Sequence, residues 1–393
     1  MKDFKVTRLN LIGKSFAVTV PASKSMANRA LILASLRKGK TTLKGDFAAE
    51  DIQIMVNALR KIGITIVESS LGLRITNDLS WRRNPQPLKL DIGNSGTSIR
   101  FLTSLVCLRN GSTILTGKPR MMQRPIGDLV DALRQMGAEI QYLGEDGFPP
   151  LKVIGHGGLR GGRVLVKADT SSQFLTSLLL VGSQCEQKLV LKVPGKAISQ
   201  PYIAMTKSMI KHFDTQRNFQ IEGDASAAVY WWALAFLQGA KVTVTNLPKR
   251  SLQGDAKFLR VLSSLKGTRE RTIDMNDMPD ASMMLMAMAP LLAFPIRITN
   301  IASLRVKETD RIAAMATELT KLGVKLKTGK DWIKIWPAIR ESSTITKIHT
   351  YDDHRVAMSM AILGTVLGNL EILDPDCVNK TYPEFWKELL HRC

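Results

Sequence analysis

Several short segments of this sequence hold residues able to bind anions and move protons. Pro21-Ala22-Ser23-Lys24-Ser25-Met26-Ala27-Asn28-Arg29 puts a lysine where a helix should begin. Serine is an ordinary N-cap, but a cation in the first turn opposes the helix dipole and is tolerated best where an anion lies over the same end. Gly93-Asn94-Ser95-Gly96-Thr97-Ser98-Ile99-Arg100 is a glycine-rich turn that lets a ligand approach the backbone. It is not a P-loop, because no Gly-Lys-Ser/Thr closes it. Ser171-Ser172-Gln173 offers three neutral donors suited to phosphate oxygens. Asp280 stands at a helix start, where alone it would be a cap. Arg305-Val306-Lys307-Glu308-Thr309-Asp310-Arg311 packs five charges into seven residues, ahead of an apolar face of Ile312, Met315 and Leu319. As a solvated helix start it would pair Lys307 with Asp310; as a site it would turn Lys307, Glu308 and Arg311 to a cleft. Asp353-His354-Arg355 opens another helix with two potential cations, Lys380 precedes the closing helix, and Arg124 precedes Pro125. Guanidinium groups read carboxylate and phosphate in a bidentate way, and Asp, Glu and His supply proton transfer.

These segments occupy one register of an internal repeat. Helices that open with small or polar residues and then run apolar begin near Ser25, Thr97, Ser171, Ala225, Ala281 and His354. Each passes into a β-branched strand: TTLKG, TILTG, VLKVPG, VTVTNLP, IRITNI and LEILD. A second helix type starts near Asp51, Pro125, Pro201, Asp255, Glu308 and Pro383. Three of these end as ALRKIGITI, ALRQMGAEI and ELTKLGVKL, where a glycine just past the helix predicts a left-handed cap before a strand. Both series advance by roughly 70–75 residues, except for two steps of roughly 55 after IKHFDTQ and SSLKGTR. The unit is strand, helix, strand, helix and a strand pair, six times over, with the strand pair missing or trimmed in units three and four. Trimmed sheets carry exposed edges. The first helix type is apolar nearly all round and belongs at the centre of each domain. Six such N-termini aimed into one interdomain cleft would form an anion trap.

With 393 residues, 45% hydrophobic and 23% charged, the chain suits a globular protein of two domains. No apolar run reaches the roughly 18 residues of a membrane span, and the longest, residues 282–294, is broken by Pro290. No secretory leader is legible at the N-terminus. Cys107, Cys185, Cys377 and Cys393 form no C-x-x-C pair, which suits a reducing compartment and neither a zinc site nor a disulfide framework. The expectation is a cytoplasmic chain. Lys plus Arg is 55 against 34 Asp plus Glu, a formal +21 with pI near 9.9. That charge fits nucleic acid or a cleft for small polyanions; no Lys/Arg tract of five marks the former.

In order along nearly the whole chain, PASKSMANRA, GNSGTSIR, RPIGDLVDAL, SSQFLTSLLL, EGDAS, MPDAS, RVKETDRI, DDHRVAM and KTYPEFW resemble the motifs of the 5-enolpyruvylshikimate-3-phosphate synthase family. The resemblance implies an α/β fold of two domains, each of three βαβαββ repeats (the enolpyruvyl transferase fold, an inside-out α/β barrel), hinged at crossovers near residues 21 and 222 and closing on substrate. Residues 22–221 would bind shikimate 3-phosphate, and residues 1–21 with 222–393 would clamp phosphoenolpyruvate and carry catalysis. By the same resemblance Ser25 and Arg29 hold shikimate 3-phosphate, with Ser171, Ser172 and Ser199 around its phosphate and Gln173 and Tyr202 along its ring. Lys24, Asp280, Ser303 and Lys307 are further contacts to that substrate. Lys24, Gly96, Arg124, Gln173, Arg311, Arg355 and Lys380 take phosphoenolpyruvate. Asp280 is implied as the base for the attacking 5-hydroxyl, Glu308 as the acid to the methylene carbon, and Lys24 or His354 as an aid to the leaving phosphate. The implied partners are those two small anions, with no cofactor, no metal, no nucleic acid, no membrane and a monomeric state.

Two positions depart from the family pattern. Ser303 stands where asparagine is frequent, and Phe101 follows Arg100 where several members have proline. The latter bears on packing behind Gly96, and so on glyphosate, which in the family competes with phosphoenolpyruvate. The sister reaction, enolpyruvyl transfer to UDP-N-acetylglucosamine, uses a reactive cysteine in a loop before an Arg-Pro pair. Here that loop, residues 116–123, has none, and Cys107 falls in an apolar helix as a core residue. A basic RNA-binding or RNA-end-processing protein on related repeats is the other alternative; it leaves Asp280, Glu308 and the Ser-Ser-Gln start unexplained and lacks an aromatic strand motif for base stacking.

Overall fold

Residues 3–167, 171–194, 199–338 and 344–392 are described by the computed structural model. The chain passes from one folded unit to the other after Pro21 and again after Glu222. In residues 22–222 the apolar helices are α1 (Lys24–Ser35), α3 (Gly96–Val106) and α5 (Ser172–Val181), alternating with α2 (Glu50–Ile62), α4 (Gly127–Gln135) and α6 (Gln200–Thr215). In the other unit α7 (Ala225–Gln238), α9 (Ser282–Met288) and α11 (His354–Leu367) alternate with α8 (Phe258–Ser264), α10 (Arg311–Lys321) and α12 (Phe385–Leu390).

The two helix types differ in burial as their composition requires. Every residue of α3 and of α9 is buried, so these helices are inside. In α4 Leu129, Val130, Ala132 and Leu133 are buried while Asp131 and Arg134 are not, the one-sided burial of an amphipathic helix. Gly63, Gly137 and Gly323 close α2, α4 and α10 with φ of 112°, 89° and 75°, the left-handed conformation expected at those caps. The second-type helix expected near Glu308 begins later, at Arg311. Asp310 caps it by accepting from the Ala313 N–H at 3.0 Å.

Sheets flank the buried helices. In the second repeat Leu88–Asp91 runs parallel to Asn110–Thr116, which pairs antiparallel with Leu151–His156, itself paired with Glu139–Tyr142. Gly39–Lys44 with Gly72–Asn77 and Thr65–Ser69, and Ile296–Thr299 with Trp332–Ile335 and Leu326–Thr328, repeat the pattern. Units three and four show no such hairpin among the described residues. Among the described residues Arg163–Leu165 pairs only with Val190–Lys192, and Ser15–Val18 only with Lys241–Val244. In the sixth, Leu370–Ile372 lies between Thr346–Ile348 and an antiparallel Phe4–Val6.

The two crossovers exchange strands. Ser15–Val18 precedes α1 in sequence yet pairs with Lys241–Val244, which follows α7. Asn218–Gln220 precedes α7 yet pairs with Gly39–Lys44, which follows α1. No described helix is long and apolar enough to cross a membrane.

Candidate active site

In the unit containing α7 to α12, one guanidinium gathers three carboxylates. Arg311, the first residue of α10, is 1% exposed. Its Nε donates to Asp353 Oδ2 at 2.7 Å, its Nη1 to Asp280 Oδ1 at 2.8 Å and its Nη2 to Glu308 Oε2 at 2.8 Å. Asp353 also caps α11 by accepting from the Arg355 N–H at 2.8 Å, so one carboxylate fixes both a helix start and a cation. Asp280 lies in the 3-10 turn Pro279–Ala281 before α9 and is not that helix's cap; its carboxylate faces Arg355 Nη2 at 3.3 Å and Lys307 Nζ at 3.4 Å. Lys380 Nζ is 3.5 Å from Glu308 Oε1. The pairing of Lys307 with Asp310 that a solvated helix start would give is replaced: Asp310 meets Arg305 at 2.7 Å. His354 is buried, with Nδ1 3.9 Å from Asp353 Oδ1.

Lys307, Arg311, Arg355 and Lys380 thus oppose Asp280, Glu308 and Asp353, four formal positive charges against three. A buried guanidinium is tolerable only when its donors are satisfied, and these carboxylates do so. Burial alone would lower the Arg311 pKa, but Asp353, Glu308 and Asp280 raise it above its ordinary value. Burial alone would raise that of Asp280, yet Arg355, Lys307 and Arg311 hold it well below the usual carboxylate range. Tyr230, buried beside Arg355, has its hydroxyl pushed up to about 12, mainly by burial. Ser303 is half-buried in the turn Ala302–Val306.

The segment leading into Asp353 is held in place from below. Tyr351 and Asp352 both have left-handed backbones, φ 57° and 53°, a conformation non-glycine residues keep only when their surroundings enforce it. The Tyr351 hydroxyl donates to Glu318 Oε1 at 2.6 Å. Glu318, fully buried on α10, also accepts from Lys321 Nζ at 2.6 Å and the His349 N–H at 3.2 Å. Tyr351→Phe removes one of these ties, worth roughly 1 kcal/mol. The expected result is a several-fold rise in KM for any anionic substrate that meets Arg355, with other substrate constants unchanged. An unaltered KM in steady-state kinetics would show that the turn holds itself.

In residues 22–222 the cations are differently supported. Lys24 Nζ donates to Asp51 Oδ2 at 2.9 Å, so a buried carboxylate in the first turn of α2 supplies the anion that a lysine at a helix start requires. Ser25 follows, half-buried. The Ser23 hydroxyl and both amide atoms of Asn28 are buried with no hydrogen-bond partner among the described residues. Arg29, 2% exposed, donates to the Thr206 hydroxyl at 2.8 Å, the Ser25 carbonyl at 2.6 Å and the Thr176 hydroxyl at 3.4 Å. Its guanidinium carbon lies 5.4 Å from the Phe101 ring centroid and 5.7 Å from that of Tyr202. Those partners are neutral, and burial pushes the Arg29 pKa down to about 10; an arriving anion would favour its charge.

α5 is capped by Ser171, whose hydroxyl accepts from the Gln173 N–H at 3.2 Å, and Ser172 is buried behind it. The Gln173 amide bridges Arg100 Nη1 at 3.1 Å and the Thr97 hydroxyl at 3.2 Å. Ser199, with φ 53°, precedes α6, and Tyr202 lies in that helix's first turn. Buried Arg124 donates to the Asn94 carbonyl at 3.3 Å. Gly96 has a packing reason as well as a backbone one: a Cβ there would collide with the Arg124 guanidinium, 2.6 Å from its Cζ, and lie 2.7 Å from Arg100 Nη1. Gly96→Ala should therefore displace Arg124 and raise KM for any anionic substrate that meets it by roughly tenfold or more, the equivalent of one charged hydrogen bond. Wild-type kinetics would mean that Arg124 moves without consequence.

Within the first unit the structure brings Ser171, Ser172 and Gln173 into one helix start, links Gln173 to the Gly96 turn through Thr97 and Arg100, and puts Arg29 beside Tyr202. In the second it gathers Asp280, Lys307, Glu308, Arg311, Arg355 and Lys380 about one guanidinium. Asp51 and the dual role of Asp353 escape sequence reasoning, because an acid in a first helical turn reads as dipole complement or cap. Phe101 is a wall for Arg29. Cys107 is core: its thiol donates to the Thr103 carbonyl, and burial pushes its pKa up to about 12.

The fold is that of enolpyruvyl transferases. It aligns with EPSP synthase from Acinetobacter baumannii (TM-score 0.77, 24% identity, 100% of this chain and 98% of that one). It also aligns with the enolpyruvyl transferase NikO from Streptomyces tendae (TM-score 0.72, 13% identity, 99% and 97%). The family model for EPSP synthase (3-phosphoshikimate 1-carboxyvinyltransferase) matches residues 14–216 and 214–389. Relatives named 3-phosphoshikimate 1-carboxyvinyltransferase are 39% identical: one from Yersinia pseudotuberculosis over 94% of both chains, one from Serratia proteamaculans over 95% of both. The chain belongs to the EPSP synthase family. The Yersinia alignment runs over 415 positions against the 393 residues here, so that relative carries insertions that this chain lacks.

Proposed function

We propose that this chain transfers the enolpyruvyl group of phosphoenolpyruvate to the 5-hydroxyl of shikimate 3-phosphate and releases phosphate, a step toward chorismate and the aromatic amino acids. The observation that carries the chemistry is the buried Arg311 with Asp280 and Glu308 on two of its nitrogens. Adding an alcohol across the double bond of an enol phosphate needs a proton delivered to carbon and another taken from oxygen, and two carboxylates fixed on one cation are suited to divide that work.

Glu308 protonates the methylene carbon while Asp280 accepts the proton of the attacking hydroxyl; a C–O bond forms at the adjacent carbon. In the second stage the C–O bond to phosphate breaks, the methyl group returns a proton to the Glu308 carboxylate as the double bond re-forms, and Lys24 or His354 assists the departing phosphate, which carries off the proton first taken by Asp280. The cations stabilise the tetrahedral intermediate, and a positioned acid and base each contribute about 10²–10⁴-fold. Shikimate 3-phosphate is assigned to Lys24, Ser25, Arg29, Ser171, Ser172, Gln173, Ser199 and Tyr202, with Asp280, Ser303 and Lys307. Phosphoenolpyruvate is assigned to Lys24, Gly96, Arg124, Gln173, Arg311, Arg355 and Lys380. The neutral surroundings of Arg29 support its place among the shikimate 3-phosphate residues. No cofactor enters this scheme; a cytoplasmic monomer without nucleic-acid partners completes the reading.

Phosphate release from phosphoenolpyruvate, measured in parallel with shikimate 3-phosphate and with UDP-N-acetylglucosamine, tests it. Release only with the shikimate supports the assignment. Release only with the nucleotide sugar keeps the fold and replaces the acceptor, and silence with both removes the proposed activity.

A further inference from the structure

The third repeat treats the two edges of its small sheet differently. Arg163–Leu165 and Val190–Lys192 run parallel with Val164 opposite Leu191. On the outer side of the first strand, the Leu165 N–H and C=O are both taken by the Gln135 side-chain amide of α4, at 2.9 and 3.0 Å. A side chain thus closes that edge. On the second strand Val190 N–H donates to the Gly162 carbonyl at 2.8 Å and the Lys192 carbonyl accepts from Val166 N–H at 3.0 Å. Those two residues therefore face the partner strand, and Leu191 between them turns its peptide groups outward. Among the described residues no other strand pairs there.

A groove of about 630 Å³ lies beside this edge, with Leu179, Leu189, Leu191 and Ile210 in its lining and Lys188 and Lys207 among its polar residues. The repeats themselves indicate what such an edge takes. Leu151–His156, Gly72–Asn77 and Trp332–Ile335 each cover the equivalent edge antiparallel. They bury alternate residues, such as Leu151 and Val153 or Ile333 and Ile335. In the sixth repeat the cover is borrowed, since Phe4–Val6 comes from far away in the chain. A strand with alternating apolar residues therefore fits the third edge too. A second copy of this chain is disfavoured, because antiparallel self-pairing would bring the same lysines together on a chain of net charge +21.

We infer that the edge at Leu191 docks an extended acidic segment of a partner protein. It would add as the strand the third repeat lacks, with alternate apolar side chains over Leu179, Leu191 and Ile210 and carboxylates toward Lys188 and Lys207. Strand addition draws affinity from main-chain bonds and specificity from alternate side chains.

The test uses the full chain and three synthetic octapeptides: alternating Leu and Glu, alternating Leu and Lys, and the Leu/Glu peptide with proline at two main-chain donor positions. Saturable binding of the first alone is expected by fluorescence anisotropy. Lys188→Glu with Lys207→Glu should weaken it about tenfold, as two charge contacts would, and shift preference to the Leu/Lys peptide with turnover unchanged. No saturable binding, binding of the proline peptide equal to the parent, or indifference to the double substitution would overturn the inference. So would a dimer by light scattering that Leu191→Asp dissociates, which would assign the edge to a second copy.

Discussion

Arg311→Ala should abolish turnover and destabilise the protein by about 3–5 kcal/mol, because it leaves Asp280, Glu308 and Asp353 buried together without their shared cation. The two losses have one cause. Asp353 holds the start of α11, so losing its partner disturbs Arg355, and Glu308 loses one of the contacts that orient it. Arg311→Lys should restore part of the stability but little activity, since one ammonium cannot reach three carboxylates in the directions a guanidinium does. Urea unfolding and phosphate release measure both quantities. A stable, active alanine variant would remove Arg311 from the centre of the site.

Asp280→Asn should split the kinetic constants. Turnover is expected to fall about 10²–10⁴-fold, the contribution of a general base, while the affinity for phosphoenolpyruvate holds or improves. In the unliganded protein Asp280 competes with any incoming anion for Arg355, Lys307 and Arg311, and the amide ends that competition. The same contacts set the pH dependence. The folded pKa of Asp280 is depressed, so its contribution to stability is present above the unfolded carboxylate value and is lost only as pH falls through the lower folded one. A carboxylate held so strongly is a weak base. On the proposed assignment phosphoenolpyruvate would draw on Arg311 and Arg355 and loosen that hold, so the acidic limb of kcat should lie at higher pH than that of kcat/KM. Coincident limbs, or a variant that weakens phosphoenolpyruvate without slowing turnover, would make Asp280 a binding residue.

Much of this was open to reading along the chain because the signals are local. Helical periodicity, glycine at three helix ends and the shortened spacing after α6 and α8 are properties of neighbouring residues. They predict the buried helices, the left-handed caps at Gly63, Gly137 and Gly323, and the missing hairpins. The nine ordered motifs identify the family by the same local means. Boundaries were less legible: Glu308 sits before α10 because Asp310 is the better cap.

What only the tertiary structure decided is which charges meet. Lys24 finds Asp51 at a separation of 27 residues, and Arg311 finds Asp280 at 31 and Asp353 at 42. Each acid alone reads as a helix start, and a Coulomb partner is chosen by distance in space after the helices have packed. The exchange of Ser15–Val18 and Asn218–Gln220 at the crossovers has the same origin. Strand pairing is settled by which edge is free once each core has buried its helices, and no local pattern along the chain records that choice.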